Sequence, residues 1–267
     1  MVKRPRRVAS SHLNMYKELK TMRNTSEFPY MIFHQLFDEE SSTFTYFIAN
    51  ACSRKTIVID PVKSKVDEYL KLIYDENLIL DQILDTHVHA DHITGGGLLA
   101  ARTGVSYGLS AKAEGKHVDW HLKNGDEVHL CSEYLVALET PGHTRDSMVF
   151  VNHDKSVVFT GDTMLIGACG RTDFQNGSSQ DLYTSIAEVI YALPDDCIIF
   201  PGHDYNGQTL TTVGEQKRFN KRIRSETRRV EFVEIMNNLN LPRPKLMDIA
   251  VPFNLNAGFK PASMFQY

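Results

Sequence analysis

Apolar runs of two periods alternate along this chain, separated by polar or glycine-bearing breaks. Residues 31–37, 43–49 and 56–59 are short and rich in β-branched and aromatic side chains, and the breaks at 38–42 and 50–55 are polar enough for hairpin turns. Asp60-Pro61 ends the third run, after which Val66, Tyr69, Leu70 and Ile73 recur at helical spacing through Asn77. A strand over 79–84 follows, then a helix over 93–102. Further strands are predicted at 105–109, 127–130, 134–139, 148–151 and 157–159. A helix over 180–192 presents Leu182, Ile186, Val189 and Ile190, a strand covers 197–200, and the region beyond Gly207 reads as helical and basic. One β-rich half with helices precedes a second such half. That order predicts an α/β (α+β) fold in which two sheets pack face to face with helices outside.

Composition narrows the class. With 267 residues, 42% hydrophobic and 23% charged, the chain can bury a substantial core. A net charge of -4 gives no reason to propose nucleic acid as a partner, and no apolar span is long enough for a membrane helix. The sequence leaves oligomeric state open, a homodimer included. Cys52, Cys131, Cys169 and Cys197 are scattered, with no Cys-x-x-Cys pair, and read as free thiols of a reducing compartment. All but Cys169 are expected to be small buried hydrophobes. The expected location is the cytoplasm. Residues 1–27 differ from the rest: Lys3, Arg4, Arg6, Arg7, Lys17, Lys20 and Arg23 face only Glu18 and Glu27. They read as a disordered or artificially appended leader. An organelle transit segment, which would place the protein in the mitochondrial matrix, is the alternative. Residues 28–267 are then one domain with a helical C-terminal part.

The chemistry is concentrated at Thr86-His87-Val88-His89-Ala90-Asp91-His92. Extended backbone puts His87 and His89 on one side, and a turn into the next helix brings Asp91 and His92 near its start. Neutral imidazole and carboxylate suit zinc, iron or manganese. Gly95-Gly96-Gly97 lacks phosphate-loop spacing and is expected to let the backbone pass close to the site. Three later strands end in a metal-type ligand beside glycine: Thr140-Pro141-Gly142-His143, Thr160-Gly161-Asp162 and Pro201-Gly202-His203-Asp204.

This set resembles the metallo-β-lactamase superfamily, which implies a four-layer αββα sandwich. Six further stretches are similar to the persulfide dioxygenase family: 31–35, 42–46, 90–95, Gly170-Arg171-Thr172-Asp173-Phe174-Gln175, His203-Asp204-Tyr205 and 238–242. The resemblance implies one Fe(II) per chain, with zinc as a substitute, held by His87, His143 and Asp162. It implies glutathione persulfide and O2 as substrates and sulfite and glutathione as products. His89, Asp91, His92 and His203 would belong to a second metal position in binuclear relatives; on this reading they orient ligands by hydrogen bonding, and His203 joins the catalytic set. Arg171 is the candidate for a glutathione carboxylate, with Tyr205 as its neighbour and Cys169 as a weaker sulfur contact.

The rival reading is a glyoxalase II type binuclear thioester hydrolase, for which every ligand is also present. The loop over 169–175 departs from that family's pattern and favours the dioxygenase. A non-catalytic persulfide or metal sensor is a third reading, which the loss of a ligand would support; none is lost.

Overall fold

The computed structural model describes residues 31–262. The leader assigned to residues 1–27 lies outside the described residues. The first sheet is made of β1 (Met31–Asp38), β2 (Thr43–Asn50), β3 (Lys55–Ile59), β4 (Ile79–Leu84), β5 (Tyr107–Ser110) and β6 (Trp120–Leu122), in that spatial order. Its first three strands pair antiparallel and its last four parallel. The second sheet has the order β12-β11-β10-β9-β8-β7, built from β7 (Glu127–Leu130), β8 (Glu133–Glu139), β9 (Met148–Asn152), β10 (Val157–Gly161), β11 (Ile198–Pro201) and β12 (Thr211–Thr212).

Alternation along the strands explains the layering. Phe44, Tyr46 and Ile48 of β2 point between the sheets, toward Met148 and Phe150 of β9, Val157 and Phe159 of β10, and Phe200 of β11. The intervening Phe47 and Ala49 point the other way, onto Val66, Tyr69 and Leu72 of α1 (Val66–Asp75) and Leu99 of α2 (Gly96–Thr103). The second sheet does the same: Val149, Val158 and Ile199 face Leu182 of α3 (Ser179–Ser185) and Ile186 and Ile190 of the π-helical turn that extends it (Ile186–Ile190). Val213 of α4 (Val213–Phe219) and Phe232 and Met236 of α5 (Arg229–Asn237) complete this layer, and α6 (Met247–Asn254) lies near the chain's end. Strands buried on both faces read as continuous apolar runs rather than polar alternation. The result is the αββα sandwich.

Several expectations shift. The helix after the His cluster starts at Gly96, not residue 93, because residues 93–95 are bonded to the segment after β3: Lys63 N–H donates to Ile93 O (2.9 Å) and Gly95 N–H to Pro61 O (2.6 Å). The three glycines serve packing there rather than the site. A Cβ on Gly96 would stand 2.3 Å from the Tyr107 ring, and one on Gly97 would stand 2.3 Å from Ala257 O. The strands β6 and β12 escaped sequence reading because three and two residues carry no detectable period. Cys197 is buried as expected, whereas Cys52 and Cys131 sit exposed in turns.

At one end of the sandwich the sheets are hydrogen-bonded to each other. Met148 N–H donates to Thr86 O (2.8 Å), Phe44 N–H to Gly202 O (2.8 Å) and Tyr46 Oη–H to Pro201 O (2.5 Å). At the opposite end the β2–β3 turn meets the β7–β8 turn through Ser53 Oγ and Cys131 Sγ, 2.9 Å apart.

Candidate metal centre

Four loops converge at the stitched end, each leaving the C-terminal end of a strand: residues 85–95 after β4, 140–147 after β8, 162–178 after β10 and 202–210 after β11. The first loop is held open by distant partners. Asp146 Oδ2 accepts from Val88 N–H (2.7 Å), while Asn254 Nδ2 donates to His89 O and His92 O (2.8 Å each). Gln175 Nε2 adds a bond to Val88 O (2.6 Å), tying the Gly-Arg-Thr-Asp-Phe-Gln loop to the histidines. Sequence reading missed Asp146 and Asn254. Neither lies in a ligand pattern, and Asn254 is 165 positions from His89.

His87, His143 and Asp162 offer ligand atoms that lie within 4.8 Å of one another. Their orientation is fixed from behind. His87 Nδ1 lies 2.9 Å from Thr86 Oγ1 and His143 Nδ1 lies 2.7 Å from Arg171 O. A carbonyl can only accept, so His143 carries its proton on Nδ1 and presents a bare Nε2. Burial, then the neighbouring His89 and His143, hold the His87 imidazole well below its usual range, which keeps it neutral. Burial disfavours the Asp162 charge, but the charge and hydrogen bond of His203 overcome it and leave the carboxyl ionised. Two neutral imidazoles and one carboxylate form a donor set that fits a divalent transition metal. The cluster is built to hold a metal ion.

Of the remaining four side chains, Asp91 pairs with both His92 and His203, while His203 also reaches Asp162 and His89 turns to Asp60. His203 bridges two carboxylates, with Nδ1 2.6 Å from Asp162 Oδ1 and Nε2 3.1 Å from Asp91 Oδ2. Against the cost of burial, Asp162 and Asp91 together raise its affinity for a proton well above the ordinary value. His92 Nδ1 lies 2.7 Å from Asp91 Oδ2, and Thr43 Oγ1 reaches both Asp91 (3.0 Å) and His203 (3.2 Å). The His89 ring lies tilted against that of His87, with centroids 4.2 Å apart, but its Nε2 turns to Asp60 Oδ1 at 3.2 Å. Burial and the adjacent His92 lower its pKa to about 4. His89 Nδ1 and His92 Nε2 are buried without a hydrogen-bond partner.

Glycine at two of these positions is a spatial requirement. Gly161 has φ +48°, and a Cβ there would fall 2.5 Å from Thr86 Oγ1. At Gly170 a Cβ would fall 2.6 Å from His143 Nδ1.

A cavity of about 510 Å³ opens over the cluster, lined by His143, Asp162 and His203 together with Tyr205, Arg222 and Lys245. Arg171 also borders it, yet its guanidinium is consumed. Nε and Nη2 donate to the two oxygens of Asp173 (2.7 Å each), Nη1 to Pro242 O (2.6 Å) and Nη2 to Leu241 O (3.2 Å), over the face of Phe174. Arg171, the expected carboxylate anchor, clips two loops together in this structure, and Arg222, which donates to Cys169 O, also lines the cavity. Cys169 is 1% exposed with Sγ 3.8 Å from Met236 Sδ, and burial pushes its thiol up to about 11, so it packs rather than reacts. Tyr205 stands 69% exposed at the rim, its ring parallel to that of His203.

The fold and this donor cluster define a metal-dependent enzyme class, and comparison agrees: residues 39–203 match the model of the metallo-β-lactamase superfamily. "Persulfide dioxygenase ETHE1, mitochondrial" of Homo sapiens is 40% identical over 251 residues, covering 94% of this chain and 98% of the relative. The Bos taurus protein of the same name is 40% identical over 86% of this chain and 90% of its own. The crystal structure of ETHE1 from Myxococcus xanthus superposes with a TM-score of 0.83 at 46% identity, covering 86% of this chain and 100% of that one. The chain belongs to the persulfide dioxygenase family of this superfamily.

Proposed function

We propose that this protein is an iron(II)-dependent persulfide dioxygenase that converts glutathione persulfide, O2 and water to glutathione and sulfite, with one metal held by His87, His143 and Asp162. Supporting the dioxygenase reading, and with it a single metal, are the 40% identity over 94% of this chain to a persulfide dioxygenase and the Gly170-Arg171-Thr172-Asp173-Phe174-Gln175 loop, which departs from the hydrolase pattern. Iron held by these two histidines and one carboxylate would supply the redox chemistry between dioxygen and the persulfide sulfur.

The chain's own groups do the rest. Thr86 and the Arg171 carbonyl orient the two imidazoles. His203 lies at the cavity wall and, through Nδ1 and Nε2, holds the Asp162 and Asp91 carboxylates in place. Glutathione carries two carboxylates, and Arg222, Arg243 and Lys245 put cationic groups around the cavity to receive them, with the Tyr205 hydroxyl beside them. Residues 28–267 would act as one domain, since both sheets share a core.

The relatives' mitochondrial names and the acid-poor residues 1–27 support the matrix over the cytoplasm for this chain. Among the described residues no helix is long and apolar enough to cross a membrane. The functional test is metal analysis of protein purified without air, combined with oxygen uptake on glutathione persulfide and hydrolysis of S-lactoylglutathione. One iron per chain with oxygen uptake supports the reading. Two metals per chain with thioester hydrolysis and background oxygen uptake would replace it with the hydrolase.

A further inference from the structure

Behind the proposed ligands lies a buried chain of groups that the reaction does not itself require. Thr86 Oγ1 stands 2.9 Å from His87 Nδ1 and 2.9 Å from Asp60 Oδ2, while Thr86 N–H donates to Asp60 Oδ1 at 2.7 Å. A hydroxyl has one proton to give. Asp60 is an acceptor for both of its other close partners, so the Thr86 proton points to the carboxylate. Thr86 then accepts from His87 Nδ1–H, which leaves His87 Nε2 bare for the metal. The same carboxylate lies 3.2 Å from His89 Nε2, where a donated proton orients that ring with its other nitrogen, Nδ1, left without a partner.

Several observations mark this as built rather than incidental. Asp60 and Thr86 are 0% and 1% exposed, so the carboxylate's field is not screened by water. Asp60 adopts φ +53°, a conformation a non-glycine residue takes at a cost. Gly161, on the adjoining Thr-Gly-Asp loop, leaves space for the Thr86 hydroxyl, since its Cβ would fall 2.5 Å from Oγ1. Thr86 O also accepts from Met148 N–H (2.8 Å), so the residue's main chain joins both sheets and cannot easily turn away.

We infer that Asp60, acting through the Thr86 hydroxyl, is the positioning device of the metal centre: it presets the tautomer of His87 and raises that imidazole's strength as a ligand. Asp60 and Thr86 need not touch metal or substrate. The inference rests on the assignment of His87 as a ligand, and not on iron being the metal or a persulfide the substrate.

The test compares Thr86→Val, Thr86→Ser and Asp60→Asn with the wild-type full chain. Affinity for ferrous ion (without air) and separately for zinc is measured by competition with a chromogenic chelator. Valine keeps the branched shape and removes the hydroxyl; serine keeps the hydroxyl and removes the methyl. Thr86→Val and Asp60→Asn should each weaken metal affinity by about 10–100-fold, as losses behind a ligand do. Thr86→Ser should return to near the wild-type value. Circular dichroism and the melting temperature of the metal-free proteins show whether a variant has folded. Wild-type affinity in folded Thr86→Val would overturn the inference, as would equal weakening in the valine and serine variants, which would make the methyl's packing decisive. The zinc series reads the relay even if wild-type protein shows no dioxygenase activity, so the two readings fail separately.

Discussion

Replacing Arg171 by alanine should loosen a wall of the cavity rather than remove a substrate contact. The guanidinium makes two bonds to Asp173 and one each to the carbonyls of Pro242 and Leu241, and its side chain is only 15% exposed. The Asp173 pair contributes little to the wall, since that carboxylate is half-exposed and lies two residues away on the same loop. The two carbonyl bonds hold 241–242 against the loop. A hydrogen bond from a charged donor contributes about 1.5–3 kcal/mol when well buried, and these lie at the surface, so about 2 kcal/mol for the two together is a fair figure. At about 1.4 kcal/mol per tenfold, the open wall becomes about 30-fold more populated. Trypsin reads this directly at Lys245, because the Arg243 bond precedes Pro244 and resists cleavage. In the regime where opening is fast, the cutting rate follows the open population, and should rise by about that factor. His143 keeps its partner, because the acceptor is the backbone carbonyl of residue 171, and metal content should stay at the wild-type level. An unchanged cleavage rate at Lys245 together with a raised KM for glutathione persulfide would refute the reasoning and restore Arg171 as a substrate anchor.

Arg222→Ala should raise KM by about 10–100-fold, the equivalent of one charge-assisted bond of about 1.5–3 kcal/mol, with metal content unchanged; steady-state oxygen uptake measures it. His87→Ala should lose the metal and essentially all oxygen uptake, whereas His203→Ala should keep it and lower the rate by about 10–100-fold, as read by metal analysis beside the oxygen electrode. Iodoacetamide at pH 8 should label Cys52 and Cys131 in the native protein and spare Cys169 and Cys197. Burial raises those two thiols to about 11 and about 12, so both stay protonated until the chain unfolds or the pH rises past those values. Mass spectrometry of the alkylated protein before and after denaturation checks this.

The layered architecture was legible because β2, β3, β9 and β10 are buried on both faces and so stand out as apolar runs bounded by polar turns. The convergence of donor groups was legible because His143, Asp162 and His203 sit at strand ends beside glycines that have no room for a Cβ. What escaped reading depended on partners far away in sequence. The start of α2 is set by bonds to residues 61–63, and the shape of the histidine loop by Asn254. The contacts of Arg171 escaped reading for the same reason: its bonds to Asp173 and to two carbonyls from residues 241–242 cannot be seen from its place beside the site. Cys52 and Cys131 were misplaced because residue type alone favours burial, while each sits in a turn at the sandwich's far end.

That far end has a practical use. Because the sheets are stitched together where the four loops converge, a disturbance at the opposite turns has to cross the full length of the strands to reach the ligands. The β2–β3 and β7–β8 turns are therefore the places to graft foreign sequence, attach a dye to Cys52 or Cys131, or open the chain for circular permutation. Two dyes there would report the separation of the sheets at their base, making the protein its own gauge of breathing while its chemistry proceeds at the other end.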